Sequence, residues 1–410
     1  MNQQELIARG DRVLATTYAR QPVVLVRGEG SQVWDADGKR YVDFVGGIAV
    51  DILGHGHPAV VRAIREQAAT LIHVSNLYYI EPQIRLAELL TRHSFADRVF
   101  FCNSGAEANE AAIKLARKHA HDAGHRGRFH VLSAHGSFHG RTLAALAATG
   151  QEKYRHGFEP LPEGFRHVPY GDVEALRAAM DERVSAVLLE PIQAEGGVRL
   201  PPEGYLAAVR RLCDERGVLL VFDEVQTGMG RTGRLWAHEH AGVAPDVMTL
   251  AKGLAGGVPI GAMLARESVA KAFGPGSHAS TFGGNPLATA AGVAVLETLL
   301  AEGLVERAAE LGAYFLKLLR QLAARHRGVV ADARGLGLLL GLELTEASGL
   351  TAADLVTRVM ADGYLVSAAG PRVVRFVPPL VIAREEIDRL VEALDRHLAE
   401  AARTAGARTA

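Results

Sequence analysis

Between residues 98 and 265 the chain alternates short apolar runs with stretches of helical periodicity, and this constrains its fold more than any other feature. Residues 98–102 (RVFFC) predict a buried strand, and a helix is expected from Ala106 to His119. Residues 128–132 and 186–189 are further strand candidates. Across 204–216, Tyr205, Leu206, Val209, Leu212 and Cys213 fall on one face of a helix. Residues 218–222 (VLLVF) are apolar at every position, as a central parallel strand must be, and shorter runs follow at 247–250 and 260–264. Repeated strand–helix units of this kind imply a mostly parallel sheet with helices on both faces.

The texture changes after Pro286. A long helical region is expected to His326, then strands at 337–344 and 373–377 and a last helix over 384–401. Near the amino terminus, residues 32–44 alternate. The expected organisation is an N-terminal segment (1–50) that packs with a small C-terminal α+β domain (291–410), and a large domain (51–290) between them. A chain of 410 residues has room for both. The formal net charge of −1 gives no basic field for nucleic acid or anionic lipid, so small molecules are the expected partners. Two cysteines, Cys102 and Cys213, make no disulfide framework and suit a reducing compartment. The first residues carry no basic-then-apolar signal, and no apolar run reaches the ~20 residues of a membrane span. A cytoplasmic protein is expected.

Four places could carry chemistry. Asn103-Ser104-Gly105-Ala106 follows a strand and opens a helix, where free N–H groups can hold a phosphate. Asp223 directly follows the 218–222 strand, at the carboxyl ends of strands where ligands of α/β proteins gather, and its charge could keep a ring nitrogen protonated. Lys252 follows another apolar run, and a buried lysine can present a neutral, nucleophilic amine. In residues 138–142 (FHGRT), Phe138 could stack on a ring and Arg141 could grip a carboxylate, while Ser280 and Thr281 offer hydroxyls beside open backbone. Each feature alone is also what an ordinary capped turn looks like. Together they supply what pyridoxal phosphate needs: a phosphate anchor, a carboxylate for the pyridinium and an amine for the aldehyde.

Two motifs point elsewhere. Gly228-Met229-Gly230-Arg231-Thr232-Gly233 matches GxGxxG, with Asp246 eighteen residues after Gly228, but no long helix is expected to follow, so a nicotinamide site is not expected. His55 and His57 form an H-x-H pair with no nearby third ligand, which fits a turn better than a metal.

The motifs together resemble the class III, or ω-amino-acid, pyridoxal-phosphate aminotransferases. The resemblance runs from residues 26–30 to 373–376 and is most specific at 103–117 (NSGAEANEAAIKLAR), 138–155, 190–198 (EPIQAEGGV) and 222–233 (FDEVQTGMGRTG). It implies fold type I: a large α/β domain with a mostly parallel, helix-covered sheet, and a smaller α+β domain. It implies pyridoxal 5'-phosphate as cofactor, with Ser104, Gly105 and Ala106 at the phosphate and Phe138 stacked on the ring. Asp223 would face the pyridine nitrogen, Val225 would pack behind the ring, Gln226 would lie near the phenolic oxygen, and Lys252 would bond the aldehyde carbon and act in catalysis. Thr281 corresponds to a phosphate ligand given by the partner subunit, which implies a homodimer with shared active sites. For substrates, Arg141 would bind the distal carboxylate and Arg375 the α-carboxylate of 2-oxoglutarate. Glu195 would pair with Arg375 when a terminal amine is bound, and Ser280 lies near the substrate end.

The donor that the resemblance favours, on chain length, the 138–142 context and residues 77–82, is N2-acetylornithine, with arginine biosynthesis as the setting. Ornithine, succinylornithine, 4-aminobutyrate and acylated lysine or diaminopimelate are the alternatives. Two departures from the common family pattern bear on that choice: Ala194 stands where many relatives have Gly, and Ala279-Ser280 where Gly-Thr is common.

Overall fold

The computed structural model describes residues 2–409, with side chains described to residue 404. Near the amino terminus lie β1 (Leu25–Glu29), β2 (Gln32–Asp35) and β3 (Arg40–Asp43). Seven strands follow: β4 (Arg98–Cys102), β5 (His130–Ala134), β6 (Phe165–Val168), β7 (Val184–Leu189), β8 (Leu219–Asp223), β9 (Val247–Leu250) and β10 (Gly261–Ala265). The last five are β11 (Val330–Leu336), β12 (Leu339–Leu344), β13 (Tyr364–Leu365), β14 (Ser367–Ala368) and β15 (Val373–Phe376).

The central sheet has the order β4-β10-β9-β8-β7-β5-β6. It is mostly parallel, with β10 alone running against its neighbours. Strands β7, β9 and β10 are buried along their whole length, which is why their sequences are unbroken apolar runs. Helices such as Gly105–Asp122 and Tyr205–Arg216 return the chain between strands and bury apolar stripes against the sheet. Two four-stranded sheets flank it, β1-β2-β3-β13 and β11-β12-β15-β14, so the N-terminal strands share a sheet with residues 364–365. Phe44, Phe315 and Phe376, all fully buried, meet edge to face where these parts join.

Several boundaries differ from the sequence expectation. The run at 32–44 is not one strand but the hairpin β2–β3, because Asp35 Oδ1 accepts the Asp37 and Lys39 N–H groups and closes a turn. The strand expected at 337–344 is the second half of the hairpin β11–β12. Its first half carries Asp332 and Arg334 on an open face and shows no apolar run. The helical region after Pro286 is two helices, Pro286–Ala301 and Leu304–Arg325, bent by 66° at Gly303, whose φ of 63° a helix interior does not allow. The last helix runs past residue 401 to Thr409. No single described helix is long and apolar enough to cross a membrane.

Candidate active site

A cavity of about 410 Å³ opens at the carboxyl ends of β4, β8 and β9. It brings Ser104, Gly105, Ala106, Phe138, Arg141, Asp223, Val225, Gln226 and Lys252 onto one wall system, from positions up to 148 residues apart. Parallel strands explain this convergence, since they leave all their carboxyl ends on one edge. Asp223 is the last residue of β8 and pairs in register with Thr249 of β9, three residues before Lys252.

Asp223 is nearly fully buried and tightly held. Its Oδ2 accepts from Asn109 Nδ2 at 2.7 Å and lies 2.8 Å from His139 Nδ1, while Oδ1 accepts the Val225 N–H at 3.0 Å. The Asn109 amide cannot turn over, because its Nδ2 faces two groups that only accept, Asp223 Oδ2 and the His139 carbonyl. The carboxylate keeps accepting capacity on the cavity side. Lys252 has a left-handed φ of 43° and makes no hydrogen bond or ion pair among the described residues. Burial pulls its pKa down, with the Glu195 charge opposing, so a neutral amine is accessible. At the opening of the Gly105–Asp122 helix, Ser104 Oγ accepts the Glu107 N–H and caps the turn. The Gly105 and Ala106 N–H groups, in the first helical turn, have no helical partner, and both residues line the cavity, which suits an anion. A Cβ on Gly105 would stand 2.7 Å from a Val225 methyl, so only glycine lets these two segments approach so closely.

This donor set fits pyridoxal phosphate: an anion-binding helix start, a fixed carboxylate and an unpaired amine around one cavity. Phe138 is half-buried on the cavity wall, its N–H donating to Glu190 Oε2 at 3.0 Å. Glu190 itself is buried, and desolvation together with the Asp223 charge pushes its pKa well above the ordinary range.

Beyond the wall, Arg375 is 1% exposed and ion-paired through Nη1 with Glu195 Oε1. Gln226 joins both: its Oε1 accepts from Arg375 Nη1 at 3.0 Å and its Nε2 donates to Glu195 Oε1 at 3.1 Å. Burial alone would raise the Glu195 pKa, but Arg375 and Lys252 bring it down to about 2. Ser280 and Thr281 are not on the cavity wall. Ser280 Oγ accepts from Asn103 Nδ2 and the Gly283 N–H, and Thr281 is exposed on the surface.

Comparison with known proteins decides the family. The family model described as "Aminotransferase class-III" matches residues 13–398. The chain belongs to the class III aminotransferases. Members of this class use pyridoxal phosphate, as the donor set here allows. Among its relatives, an acetylornithine aminotransferase of Thermosynechococcus vestitus is 56% identical over 96% of both chains. Another of the same name, from Methanocaldococcus jannaschii, is 49% identical over 98% of this chain and 99% of its own. Among solved structures, the ornithine aminotransferase of Toxoplasma gondii superposes with a TM-score of 0.94 at 36% identity, covering 98% of this chain and 96% of its own. An acetylornithine aminotransferase from Elizabethkingia anophelis gives 0.87 at 34%, covering 98% and 100%.

More side chains hold this cavity than the sequence reading gave roles to. Asn109, His139, Thr249 and Glu190 buttress Asp223 and Phe138, and Ser367 Oγ accepts from Arg375 Nε at 3.3 Å. Asn109 is a polar residue inside an apolar helix face, and it lies within the 103–117 stretch. Glu224, next to Asp223, is structural: it accepts from the Ala237 and His238 N–H groups and from Thr227 Oγ1. The GxGxxG loop that it anchors packs on the chain itself, Gly233 against Ala309 and Thr232 against Gly337. His55 bonds Asp43 Oδ2 at 2.8 Å, and His57 caps the Pro58–Thr70 helix. No cluster of three metal-ligating side chains exists among the described residues.

Proposed function

We propose that this enzyme moves the terminal amino group of N2-acetyl-L-ornithine to 2-oxoglutarate, giving N-acetyl-L-glutamate 5-semialdehyde and L-glutamate, as a cytoplasmic step of arginine biosynthesis. The reading is carried by near full-length relatives of that name at 49–56% identity. Free ornithine is the second reading, since ornithine aminotransferases stand among the structures of like fold.

Pyridoxal phosphate, when bound, supplies an electrophilic carbon and an electron-withdrawing ring. Gly105, Ala106 and the Ser104 cap would hold its phosphate, Phe138 and Val225 its two faces, and Gln226 its phenolic side. Asp223, fixed by Asn109 and His139, favours a protonated ring nitrogen. Lys252 Nζ would hold the cofactor through its aldehyde carbon and, when free, would move a proton to and from the substrate's amine-bearing carbon. Arg141 takes the carboxylate distal to the reacting carbon in either substrate. Arg375 takes the α-carboxylate of 2-oxoglutarate. With a terminal CH₂NH₂ in place, Arg375 would be a buried, unpaired charge, and Glu195 compensates it, turning aside for the acceptor.

The division into 1–50, 51–290 and 291–410 belongs to the same reading, as does a homodimer with shared sites. Supporting the dimer is an exposed apolar surface: Leu77, Tyr78 and Tyr79 are 84, 69 and 97% exposed, beside Phe282 at 61%. Asn76 donates to the carbonyls of Ser280 and Gly283, so Thr281 belongs to that surface.

Mixing the enzyme loaded with pyridoxal phosphate with N-acetylornithine, ornithine or 4-aminobutyrate tests the reading by the visible absorbance of the cofactor. Rapid loss at low N-acetylornithine, with the others much slower, is expected. Loss with another amine alone overturns the donor, and no visible band after adding cofactor overturns the chemistry.

A further inference from the structure

Arg141 lines the cavity without an acidic partner. Among the described residues no hydrogen bond or ion pair reaches its guanidinium. Instead, its Cζ lies 4.0 Å from the Tyr154 ring centre and 5.4 Å from that of Phe138. Those rings stand nearly perpendicular, at 83°, with centroids 5.7 Å apart. Two aromatic surfaces set at right angles fix both the position and the tilt of a planar cation. They use none of its N–H donors, so the fork stays free for a carboxylate.

The Tyr154 ring carries a second cation. Lys153 Nζ lies 4.6 Å from its centre, again with no ion pair among the described residues. Both residues come from the short helix Glu152–Arg155. The preceding turn is pinned at Gly150, where a Cβ would fall 2.0 Å from the Ala134 carbonyl oxygen at the end of β5. The cations are thus held at a fixed place relative to the sheet edge. Two uncompensated positive charges on one ring repel each other until an anion arrives.

We infer that Tyr154 and Lys153 set the donor preference of this site. Tyr154 positions Arg141, and Lys153 adds a positive field that disfavours a free α-ammonium group. The inference rests on the reading that Arg141 receives the distal carboxylate of the substrate. In an amino-acid donor that carboxylate is one carbon from the α-nitrogen, so whatever binds Arg141 exposes the α-nitrogen to the same field. An acylated nitrogen is an uncharged amide and is unaffected, whereas ornithine brings an ammonium group toward two cations.

The test uses the loaded enzyme and four variants, with kcat and KM for N-acetylornithine and ornithine and the Kd of glutarate, a non-reacting dicarboxylate. Tyr154→Phe keeps the ring and is expected to match the parent. Tyr154→Leu is expected to weaken glutarate and raise KM for N-acetylornithine about fivefold, with kcat little changed. Lys153→Gln, an exposed change, is expected to lower the N-acetylornithine to ornithine ratio of kcat/KM about threefold, an effect that fades at high salt. A Tyr154→Phe variant as impaired as Tyr154→Leu, or an unchanged donor ratio in Lys153→Gln, overturns the inference. Glutarate binding that survives Arg141→Gln overturns the carboxylate reading beneath it, and is told apart by that variant alone.

Discussion

At the scale of single residues, Gln226 occupies the most constrained position in the site. Arg375 only donates and an ionised Glu195 only accepts, so the amide can be placed one way, Oε1 to Arg375 and Nε2 to Glu195. Gln226→Glu replaces the donor end with a carboxylate that faces Glu195 and competes for Arg375. Under the proposed roles, Arg375 then stays neutralised even when Glu195 turns aside. The KM for 2-oxoglutarate is expected to rise roughly tenfold, while the donor half-reaction changes less. Stopped-flow rates of the two half-reactions measure this, and an equal loss in both would sink it. Asp223, Lys252 and Gly105 were legible in the sequence because each sits at a strand end or helix start, where position alone restricts what a residue does. His139, Asn109 and Glu190 lie in the quoted stretches but were given no role there, since each acts through a partner 52 to 114 residues away.

At the scale of elements, most strands that were read correctly, such as β7, β9, β10 and β15, are buried along their whole length, while β4, at a sheet edge, was legible from its apolar run alone. Among those missed, β6 lies at a sheet edge, β11 carries charges on an open face, β1 is mostly exposed, and β13 and β14 are two residues each, so their apolar signal is diluted or too short. The H-x-H turn belongs here too. His55 ties the Gly54–Gly56 turn to the end of β3 through Asp43, with Asp51 Oδ2 at 3.9 Å from its other nitrogen. The hydrogen bond to Asp43 raises the His55 pKa above its ordinary 6.5, against the effect of burial and with the Asp51 charge in support. A group whose folded pKa is raised contributes its full stabilisation below the unfolded value and loses it as pH climbs through the folded one. His55→Gln is therefore expected to cost more stability at pH 6 than at pH 9, measured as denaturant midpoints of the loaded enzyme. A gap between parent and variant that is the same at both pH values would show that His55 acts by packing alone.

At the scale of the molecule, the open question is where Thr281 works. It is exposed in its own chain and absent from its own cavity wall, yet it lies on the apolar surface that includes Tyr79 and Phe282. If that surface meets a second copy across a two-fold axis, each Thr281 is presented to the partner's site, and each site is built from both chains. Complementation distinguishes this from a purely structural threonine. Lys252→Ala removes the essential amine, and Thr281→Glu sets a negative charge against the cofactor's phosphate, so each variant alone is expected to be nearly inactive. In a mixed dimer one site combines both lesions, while the other joins an intact Lys252 to an intact Thr281. Random reassortment makes half of the dimers mixed, each with one sound site of two, so roughly a quarter of parental activity should return after the two proteins are dissociated and reassembled together. The returned activity should require joint reassembly and not mere mixing of the folded dimers. No recovery, with mixed dimers verified by a mass tag, would place Thr281 in the service of its own chain and remove the shared site from the proposal.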